Sequence, residues 1–568
     1  MFIKSLLHKW WVWLLLAIII LLLILSVVSA TLFSPWLKNK LETTVHQQTK
    51  GVYTLKLHGL DAGILTGSIS ADSLLLTPVF AAWEKLNTAA KTDTSIANEV
   101  PRSLLRLAAE ETQLKGINLL GIVRGKPLNL NRLQINRPVL ILTTMRPDTT
   151  NTHEPLHVSL QGIAKNLKIG RIDITGGTLA IRESKEAETD VLSLQDFTVK
   201  VKDLQLDSTS FQDKSKAYYA QSMEFASGKA TYNLPGKAYR LQASALKANT
   251  SDGTLNVGNL KLIPLVNNAA LAQRKSMAVT SFNIDVPEIN ISGLDYSLHS
   301  RYNNIEAGNM VIKKPSLSAY MDKKNFNPKG EKPLPHDLVQ QLKTGLNVRK
   351  VTVQDMYIKY EELSPEATEV GAITFQNADA TITNITNDKN LMSAKNPAVI
   401  NFTASINGDA PLSVEARLNL IDPNAYHTLQ GTAGPANPAT LNSILEPTAF
   451  ISIKEGKLQR SDFKIELTRN KATGNLNVRY QDFKVDILTK DADKRQSLGK
   501  KIISKVANKV VIKSDNPKEG ENLRPGKIEV VRAKSNSFLA YWKDCLVSGF
   551  RTAAGVEGIG KDLSDPQR

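Results

Sequence analysis

The sequence is poor in cysteine and in aromatic residues. Cys545 is its one cysteine, and Phe, Trp and Tyr together make up 6% of its 568 residues. One thiol excludes an internal disulfide framework and any cysteine-rich zinc or iron–sulfur site. So few aromatic rings, not interleaved with the basic residues, give no stacking platform for a nucleic-acid strand. We therefore expect no metal, no cofactor and no nucleic-acid partner.

Long apolar runs are also scarce, with a single exception near the start of the chain. Residues 10–30 are almost wholly apolar, and at ~1.5 Å per residue they cover ~30 Å, the hydrocarbon thickness of a bilayer. Tryptophan favours the headgroup boundary of a membrane. We therefore assign four tryptophans at the ends of this run to the membrane interface: Trp10, Trp11, Trp13 and Trp36.

The apolar run predicts a cytosolic tail at 1–9 and an uncleaved single-pass transmembrane anchor at 10–33. Lysines lie on both sides of the run, so the positive-inside rule does not fix its orientation. Small residues at 28–30 also fit a cleaved signal peptide, but the run exceeds the ~7 to 15 apolar residues usual there. Because nearly all of the chain follows the anchor, we place that bulk outside the cytoplasm, with a cytosolic body as the alternative.

Negative charge falls short of positive charge. The 71 Lys and Arg residues against 54 Asp and Glu residues give a formal net charge of +17. Such a field attracts any polyanion. Since the basic residues alternate with apolar ones along the chain, we interpret them as solvated strand faces that suit anionic lipid head groups.

Alternation of apolar and polar residues dominates the chain after residue 50, for example at 167–174. A period of two places apolar side chains on one face of a strand and polar side chains on the other. We therefore predict a mainly β fold with a few helices. We expect one helix at 103–111 and another, basic and amphipathic, at 497–513.

The chain contains an internal repeat. Eight positions recur later in the chain at one constant offset, without a gap: Tyr53, Leu55, Leu60, Gly67, Ile69, Leu74, Leu76 and Pro78 match Tyr239, Leu241, Leu246, Gly253, Leu255, Leu260, Leu262 and Pro264. Two further blocks recur in the same order, one from Gly116 at Gly293 and one from Leu167 at Leu346. Repeated strand-forming units favour an elongated architecture. We infer a duplicated body, with repeat 1 at 51–236 and repeat 2 at 237–440.

Two motif matches suggest catalysis, but their context argues against it. The H-E-x-x-H signature of zinc hydrolases occurs at 153–157 and requires a helix. Pro155 lies inside that helical turn and would remove one of its hydrogen bonds, at a cost of ~3 kcal/mol. A G-x-x-x-x-G-K match at 555–561 is followed by Asp562 instead of the Ser or Thr that holds magnesium. We expect no enzyme activity.

Three segments of the chain carry a family resemblance: GVYTLKLHGLDAGILTGSISADSLLLTP at 51–78, GKPLNLNRLQINRPVLIL at 125–142, and a stretch at 441–488 that begins with LNSILEP and ends with YQDFKVDIL. They resemble the AsmA-like family of bacterial envelope proteins, relatives of TamB and of the bridge-like lipid-transfer proteins. The match rests on the order of these segments, from just behind the anchor to the C-terminal third. The region at 441–490 resembles the C-terminal β region of the family.

The resemblance implies an elongated, curved β-sheet groove of the β-taco type, whose apolar face carries phospholipid acyl chains. A sheet with one apolar face must cover that face, and acyl chains can cover it while head groups stay in water. The candidate lining residues are Tyr53, Leu55, Leu57, Ile69, Leu74, Leu76, Leu133, Ile135, Val348 and Val353. Their contribution would be collective, so a single alanine substitution should have little effect.

The segment at 536–556 allows two interpretations. Its aromatic and basic residues suit a helix at a headgroup boundary, in contact with a second membrane or a partner protein. The same apolar side would also let the helix cap the groove. The candidates for membrane contact are Phe538, Trp542 and Phe550.

Together these expectations describe an inner-membrane-anchored periplasmic lipid-binding and lipid-transfer protein that contributes to outer-membrane lipid homeostasis and envelope integrity. Its partners would be phospholipid acyl chains and, through the N-terminal helix, the inner membrane. The outer membrane or one of its proteins would be a further partner at the C-terminal end. The alternative is a non-transporting periplasmic scaffold or assembly factor for outer-membrane proteins, acting through exposed strand edges.

Overall fold

The chain is described by a computed structural model at residues 29–63, 66–93, 96, 100–117, 129–146, 155–159, 167–187, 189–488 and 512–556. Strands account for 52% and helices for 19% of the structure, which makes the fold mainly β, as the alternating pattern predicts. The strands belong to one large mixed sheet.

Several predicted segments fall outside the described residues. They include the tail at 1–9 and the anchor at 10–33 up to residue 28, after which Ser29–Phe33 forms a short π-helix. Across the described ranges, no helix has both the length and the apolar character that crossing a bilayer requires. The basic helix predicted at 497–513 also lies outside the described residues, apart from its last two positions.

Helices flank or connect the strands. They are α1 (Ser34–Gln48), α2 (Phe80–Thr92), α3 (Leu156–Ser159), α4 (Ser208–Gln212), α5 (Asn268–Lys275), α6 (Tyr296–Tyr302), α7 (Pro335–Gln340), α8 (Asn442–Ala449) and α9 (Phe538–Ala553). Helix α9 begins where the Ser537 side chain accepts a hydrogen bond from the N–H of Ala540, which satisfies one of the free donors of its first turn.

The chain divides into two compact units. Unit 1 comprises the chain up to Asn233, with Ala243–Leu255 and Tyr296–Tyr302, and unit 2 comprises Leu234–Gln242, Asn256–Asp295 and the chain from Asn303 onward. The boundary predicted between the two repeats, at 236/237, lies close to the first of these divisions. The predicted C-terminal region at 441–490 falls within unit 2.

Unit 1 is built from the strands β1 (Tyr53–His58), β2 (Asp61–Gly63), β3 (Ser68–Pro78), β4 (Ser103–Lys115), β5 (Asn129–Thr144), β6 (Leu167–Arg182), β7 (Leu192–Leu206), β8 (Ser222–Ser227), β9 (Lys229–Asn233) and β11 (Ala245–Asn249). Strands β1, β3, β4 and β5 pair antiparallel in that order. Strands β5 and β6 are parallel, and the antiparallel order resumes with β7 and β8.

Unit 2 is built mainly from the strands β10 (Tyr239–Ala243), β12 (Thr254–Pro264), β13 (Thr280–Ser292), β14 (Ile305–Lys313), β15 (Ser316–Asp322), β16 (Leu346–Leu363), β17 (Gly371–Thr386), β18 (Ala398–Ile406), β19 (Ala410–Leu418), β20 (His427–Ala433), β21 (Ile451–Leu467), β22 (Lys471–Ile487) and β23 (Gly526–Val531). Strands β14 and β15 both pair parallel with β16, and β16 to β23 then follow as antiparallel neighbours.

The helix predicted at 103–111 is wrong, because this segment forms part of strand β4. Its Leu, Ala and Glu residues favour a helix in isolation, by a few tenths of a kcal/mol per residue. In the sheet, Leu107 lies opposite Leu76 of β3 on one side and opposite Leu140 of β5 on the other. Pairing and packing on both sides outweigh the local preference.

The positions that repeat in the sequence occupy equivalent places in the two units. Tyr53 lies opposite Pro78 in unit 1, and Tyr239 lies opposite Pro264 in unit 2. Strands β4 and β13 are equal in length, at 13 residues each, and both end just before a repeated glycine, Gly116 or Gly293. In each unit a parallel step then follows, between β5 and β6 or between β14 and β16. The two units therefore share one order of strand pairings.

The largest buried core lies at the C-terminal end of unit 2. Helix α9 packs on β22 and β23, and helix α8 packs on β17 and β21. The core includes the fully buried residues Leu418, Leu429, Ile465, Leu467, Tyr480, Ile528 and Tyr541. Full burial of each large apolar side chain contributes ~1.5 to 3 kcal/mol. This end of unit 2 is consequently its most tightly packed part.

Candidate functional site: the apolar face of the sheet

The apolar side chains of unit 1 form two rows that run across the strands. The upper row joins directly opposed residues of β1 and of β3 to β7: Leu55, Leu76, Leu107, Leu140, Leu179 and Leu194. The lower row crosses β3 to β8: Ile69, Leu114, Leu133, Ile172, Val201 and Met223. Each opposed apolar pair stabilises a sheet by ~0.2 to 1 kcal/mol.

One left-handed residue in each strand from β4 to β7 places both rows on the same face. In each of these strands the residue numbers of the two row members differ by an odd number, which in a regular strand would put the two side chains on opposite faces. Between them lies a residue with positive φ: Glu111, Arg137, Gly176 and Asp196, respectively. The register shifts at these positions mark bulges, and each bulge reverses the alternation once. In β4 to β7 the two rows therefore lie on one face of the sheet, the apolar face.

Unit 2 repeats both rows. Its upper row is Ile284, Leu317, Ile358, Phe375 and Ile406. Its lower row is Ile291, Met310, Val351, Ile382, Ile400, Ala416, Leu429 and Ile465. Residues with positive φ again lie between the rows, at Lys314, Asp355 and Asn377.

Most of the row residues remain partly exposed. In unit 1 every member except Val201 keeps part of its surface accessible. In unit 2 the lower row changes from partly exposed side chains at Ile291 and Ile382 to full burial at Leu429 and Ile465. The apolar face of a sheet is normally covered by a second layer of the protein. Each unit therefore has an apolar face that its described residues cover only in part.

The predicted lining residues fall into two groups, one in each unit. Eight of them are in unit 1: Tyr53, Leu55, Leu57, Ile69, Leu74, Leu76, Leu133 and Ile135. The other two, Val348 and Val353, lie on β16 of unit 2, opposite Ala307 and Ile312 respectively. Sequence reasoning missed the row members on β7 and β8, because the pairing that continues a row from strand to strand leaves no local signal.

The opposite face of the strands is charged. On β6, the Asp173 carboxylate lies 2.8 Å from Nε of Arg132 and 2.8 Å from Nε of Arg171. In unit 2, Lys313 Nζ lies 3.0 Å from a carboxylate oxygen of Glu288 on the neighbouring strand. Such partly exposed ion pairs contribute at most ~1 kcal/mol each. Their effect is to keep this face in water, so that the two sides of the strands differ sharply in polarity.

One tyrosine in each unit closes the end of the upper row. The hydroxyl of Tyr53 accepts a hydrogen bond from the N–H of Leu105 at 3.0 Å, and the hydroxyl of Tyr239 accepts one from the N–H of Phe282 at 3.2 Å. Each N–H lies next to the end of a strand, β3 or β12, that stops at a proline. The tyrosine hydroxyl thus satisfies a backbone donor that the shorter strand does not reach.

Removal of either hydroxyl should weaken its own unit by a similar amount. Tyr53→Phe and Tyr239→Phe each leave one strand N–H without its acceptor, and we expect each to lower the free energy of unfolding by about 1 kcal/mol. Hydrogen exchange of peptides that contain Leu105 or Phe282 measures the two losses separately. Tyr232→Phe, at a more exposed tyrosine of β9, is the control. Unchanged exchange at Leu105 in Tyr53→Phe would contradict the prediction.

Helix α9 turns aromatic side chains toward the core of unit 2. The ring of Phe550 lies 6.0 Å from that of Tyr480 and 5.5 Å from that of Phe483, measured between centroids. Trp542 donates a hydrogen bond from Nε1 to Nε2 of His427 at 3.1 Å. These contacts agree with the interpretation of the C-terminal segment as a cap on the sheet.

The residues predicted to touch a membrane therefore differ in their surroundings. Phe538, Trp542 and Phe550 are partly buried, and the large apolar residues that α9 exposes are Leu539 and Val547. Trp36 is 58% exposed on α1. Trp10, Trp11 and Trp13 lie outside the described residues. Membrane contact by these side chains stays a prediction.

Side chains of α1 occupy the outer edge of the first strands. A carboxylate oxygen of Glu42 accepts a hydrogen bond from the N–H of Leu57 on β1 at 2.9 Å. The hydroxyl of Ser34 accepts one from the N–H of Ala62 on β2 at 3.0 Å. Unpaired strand edges invite pairing with another chain, and side chains that satisfy the edge prevent it.

Side chains of α9 occupy the edge of β23 in the same manner. The hydroxyl of Ser548 lies 3.4 Å from both the N and the O of Glu529, and the hydroxyl of Thr552 donates to the carbonyl of Lys527 at 3.1 Å. Strand β23 is otherwise paired with β22. The helix thus covers both the inner face and part of the edge of this strand.

The polar groups of the described ranges form no metal centre, since no three His, Cys, Asp or Glu side chains there are placed to share an ion. From the H-E-x-x-H match, His157 lies in the one-turn helix α3 with Nδ1 2.9 Å from the hydroxyl of Tyr219, and 153–154 lie outside the described residues.

A polar cavity in unit 2 is lined by Asp422, Asn424, Tyr426, Thr468, Arg469 and Asn470. Its arginine is already paired with Asp337 at 2.7 Å.

No protein-family model matches this chain, and no curated protein is detectably similar to it in sequence.

Proposed function

We propose that this chain is a non-catalytic lipid-binding and lipid-transfer protein, anchored in the inner membrane with its bulk in the periplasm. In this proposal the apolar face lines an elongated, curved groove, made from two duplicated halves, that carries phospholipid acyl chains. The observation that supports it best is the pair of aliphatic rows in each unit, whose side chains are covered only in part.

Acyl chains are the ligand class that such a face suits. Each CH₂ group removed from water contributes ~0.8 kcal/mol, so a long acyl chain laid along a row can offset much of its extraction from a bilayer. A contiguous, partly exposed apolar surface is also the kind of surface that marks the binding of an apolar partner. The charged opposite face would stay in water while the lipid moves, and no chemical step is required.

The resemblance to the AsmA-like family supports the cellular part of the proposal. It implies a bacterial envelope, where lipid transfer from the inner membrane would contribute to outer-membrane lipid homeostasis and envelope integrity. The outer membrane or one of its proteins would receive the C-terminal end. The predicted anchor would hold β1 near the inner membrane.

The alternative function, a scaffold that assembles outer-membrane proteins through strand edges, has weaker support. Its mechanism needs an edge whose N–H and C=O groups are free to pair. Glu42 and Ser34 already occupy N–H groups of β1 and β2, and Ser548 and Thr552 already contact the backbone of β23. A partner strand would first have to displace these side chains.

Photo-crosslinking from the two faces of one sheet tests the proposal in cells. A photoreactive amino acid at Leu140 of the upper row should give a phospholipid adduct, detected by mass spectrometry of the purified full-length chain. The same residue at Arg106, an exposed position on the charged face of β4, should give none. Because the two positions lie on paired neighbouring strands, a difference between them reports on the face of the sheet and not on lipid held elsewhere.

Other outcomes of the crosslinking would each lead to a different conclusion. Equal lipid adducts at Leu140 and Arg106, or none at either position, would contradict lipid binding by the apolar face. Protein adducts at Leu140 in place of lipid would favour the scaffold. Adducts to lipid at Leu140 and also at Ile358 of unit 2 would extend the lipid-binding surface to both units.

A further inference from the structure

Two buried histidines lie beneath helix α9 in unit 2. His336 belongs to α7 and His427 begins β20, and both side chains have almost no solvent exposure. Their ring centroids are 5.5 Å apart, and the ring of Trp542 on α9 lies 6.0 Å from that of His427. Protonation of a buried histidine that is neither a metal ligand nor a catalyst puts a charge among the side chains packed around it.

The hydrogen bonds of His427 define its protonation state. Trp542 has only a donor, its indole N–H, so Nε2 of His427 must accept and carry no proton. Nδ1 lies 2.8 Å from the carbonyl oxygen of Ala425 and must therefore carry the proton and donate. The contact with α9 thus requires the neutral imidazole in one tautomer. A second proton on Nε2 would point at the N–H of Trp542.

The described charged groups around this ring do not balance the positive charge that a second proton on His427 would add. Arg532, which follows β23, has a fully buried side chain that contacts Glu331 at 3.5 Å and donates to the carbonyl of Lys332. In the turn between β21 and β22, Arg469 is paired with Asp337 of α7. Before β20, one carboxylate oxygen of Asp422 accepts hydrogen bonds from the N–H groups of Asn424 and Tyr426.

The two buried titratable groups of α9 also remain neutral, and its charged residues Lys543 and Asp544 pair with each other at 3.2 Å. Burial raises the pKa of the Cys545 thiol to about 12 and raises the pKa of the Tyr541 hydroxyl as well. Among the described residues, the ring of His427 therefore has cations and neutral groups nearby, and no carboxylate within hydrogen-bonding distance of it. A charged imidazolium here would be buried without a counter-ion, which is strongly unfavourable.

We propose that His427 makes the docking of α9 sensitive to acid, so that protonation breaks the contact with Trp542 and releases the helix from β20 to β23. Neutral His427 holds the N-terminal half of α9, and the released state lets the charged ring reach water. The release uncovers the buried end of the lower row of unit 2, at Leu429 and Ile465, together with the edge of β23.

The direction of the pH effect follows from the burial. Burial, reinforced by the positive charge of Arg532 and by the nearby His336, lowers the pKa of His427 from 6.5 to about 4. Once α9 is released, the ring would titrate near its ordinary value of ~6.5. Docking is therefore at full strength above pH ~6.5, weakens as the pH falls, and has lost a factor on the order of 100 below pH ~4.

Release of α9 does not itself require lipid, but its functional consequence would depend on lipid binding. If the apolar face binds acyl chains, as proposed above, release of α9 would extend that face toward the C-terminal end in an acidified envelope. The experiment that follows contains no lipid substrate, so its outcome does not depend on the photo-crosslinking result. Failure of one leaves the other intact.

Cys545 is a built-in reporter for this test, because it is the one thiol of the chain and its side chain on α9 is completely buried. The full-length chain in detergent is treated with 4,4′-dithiodipyridine, which reacts with thiols in mild acid, between pH 7.5 and 4.5. Each rate is divided by that of the denatured chain at the same pH. The expected normalised rate rises about tenfold or more toward pH 4.5.

The matched variant is His427→Gln, whose side-chain oxygen can accept from Trp542 but cannot take up a proton. Its normalised rate should not depend on pH. A wild-type rate that stays flat down to pH 4.5 overturns the proposal, and so does an equal rise in His427→Gln.

Hydrogen exchange of the wild type provides a second test, which holds even if the His427→Gln variant does not fold. At the pH where Cys545 becomes reactive, peptides from 538–553 should lose protection while peptides from β16 and β17 keep it. Simultaneous loss of protection in all of these peptides means global unfolding by acid and also overturns the proposal.

Discussion

Leu55→Asp and Val353→Asp should each abolish most lipid binding at the apolar face while leaving the anchor segment unchanged. Both side chains are partly exposed on the apolar face, one in each unit. A carboxylate there loses its water when an acyl chain covers it, at a cost of ~2 kcal/mol or more, and each 1.4 kcal/mol corresponds to about tenfold in binding. We expect lipid adducts from a photoreactive residue at Leu140 to fall about tenfold or more in Leu55→Asp.

The controls place the same charge on the opposite face of the same strands. Lys56→Asp and Gln354→Asp are at exposed neighbouring positions, and their carboxylates stay in water whether or not lipid is bound. Both should retain lipid adducts at the level of the wild type. Because many side chains share the contact, Leu55→Ala should also retain most of the binding. If Leu55→Asp carries as much lipid as Lys56→Asp, the apolar face does not bind lipid.

Gly526→Ala should have the largest effect on stability, by separating α9 from the sheet. A methyl group at residue 526 would lie 2.1 Å from the carbonyl oxygen of Gly549, which is backbone and cannot rotate away. We expect the docking of α9 to weaken by about 3 kcal/mol or more, because overpacking of this kind forces the backbone to shift. The reactivity of Cys545 at pH 7.5 measures the loss, since its thiol is accessible only after α9 moves.

Lys527→Ala, at the exposed next residue of β23, should leave the reactivity of Cys545 unchanged. The two variants also distinguish steric release from acid release: in Gly526→Ala the thiol should be reactive at every pH, whereas in the wild type it becomes reactive only in acid. A protected Cys545 in Gly526→Ala would mean that α9 and β23 can separate slightly without losing their contact.

The sequence predicts the strands of this chain well and their assembly only in part. The alternation at 167–174 gives β6, and the internal repeat gives pairs of positions that prove to be equivalent, such as Tyr53 and Tyr239. The segment at 103–111 misled the prediction because its composition suits a helix, and only the pairing with β3 and β5 decides otherwise. Such pairing joins residues that are far apart in the chain, which no local pattern reveals.

The surroundings of α9 could not be predicted for a similar reason. The eight histidines are scattered in sequence, and His427 and Trp542 are 115 residues apart. The sequence indicates an amphipathic segment at 536–556, but a headgroup boundary and a protein core demand the same apolar side chains. The contacts of Phe550 with Tyr480 and Phe483 identify the core as their neighbour in this structure. The anchor and the basic helix at 497–513 remain predictions from sequence.

The left-handed residues between the two rows have a consequence for how the gene can vary. A strand that bears one bulge has two halves whose alternation is out of phase, and the bulge residue is what joins them. Deletion of Arg137 alone would remove the bulge residue and its reversal together, so that Leu133 and Leu140 would be an even number of positions apart in a regular strand and would still share a face. Loss of any other single codon between Leu133 and Leu140 would keep the bulge and put these two residues on opposite faces, whereas deletion of a whole pair of adjacent strands, which preserves every phase, could shorten the sheet without disordering it.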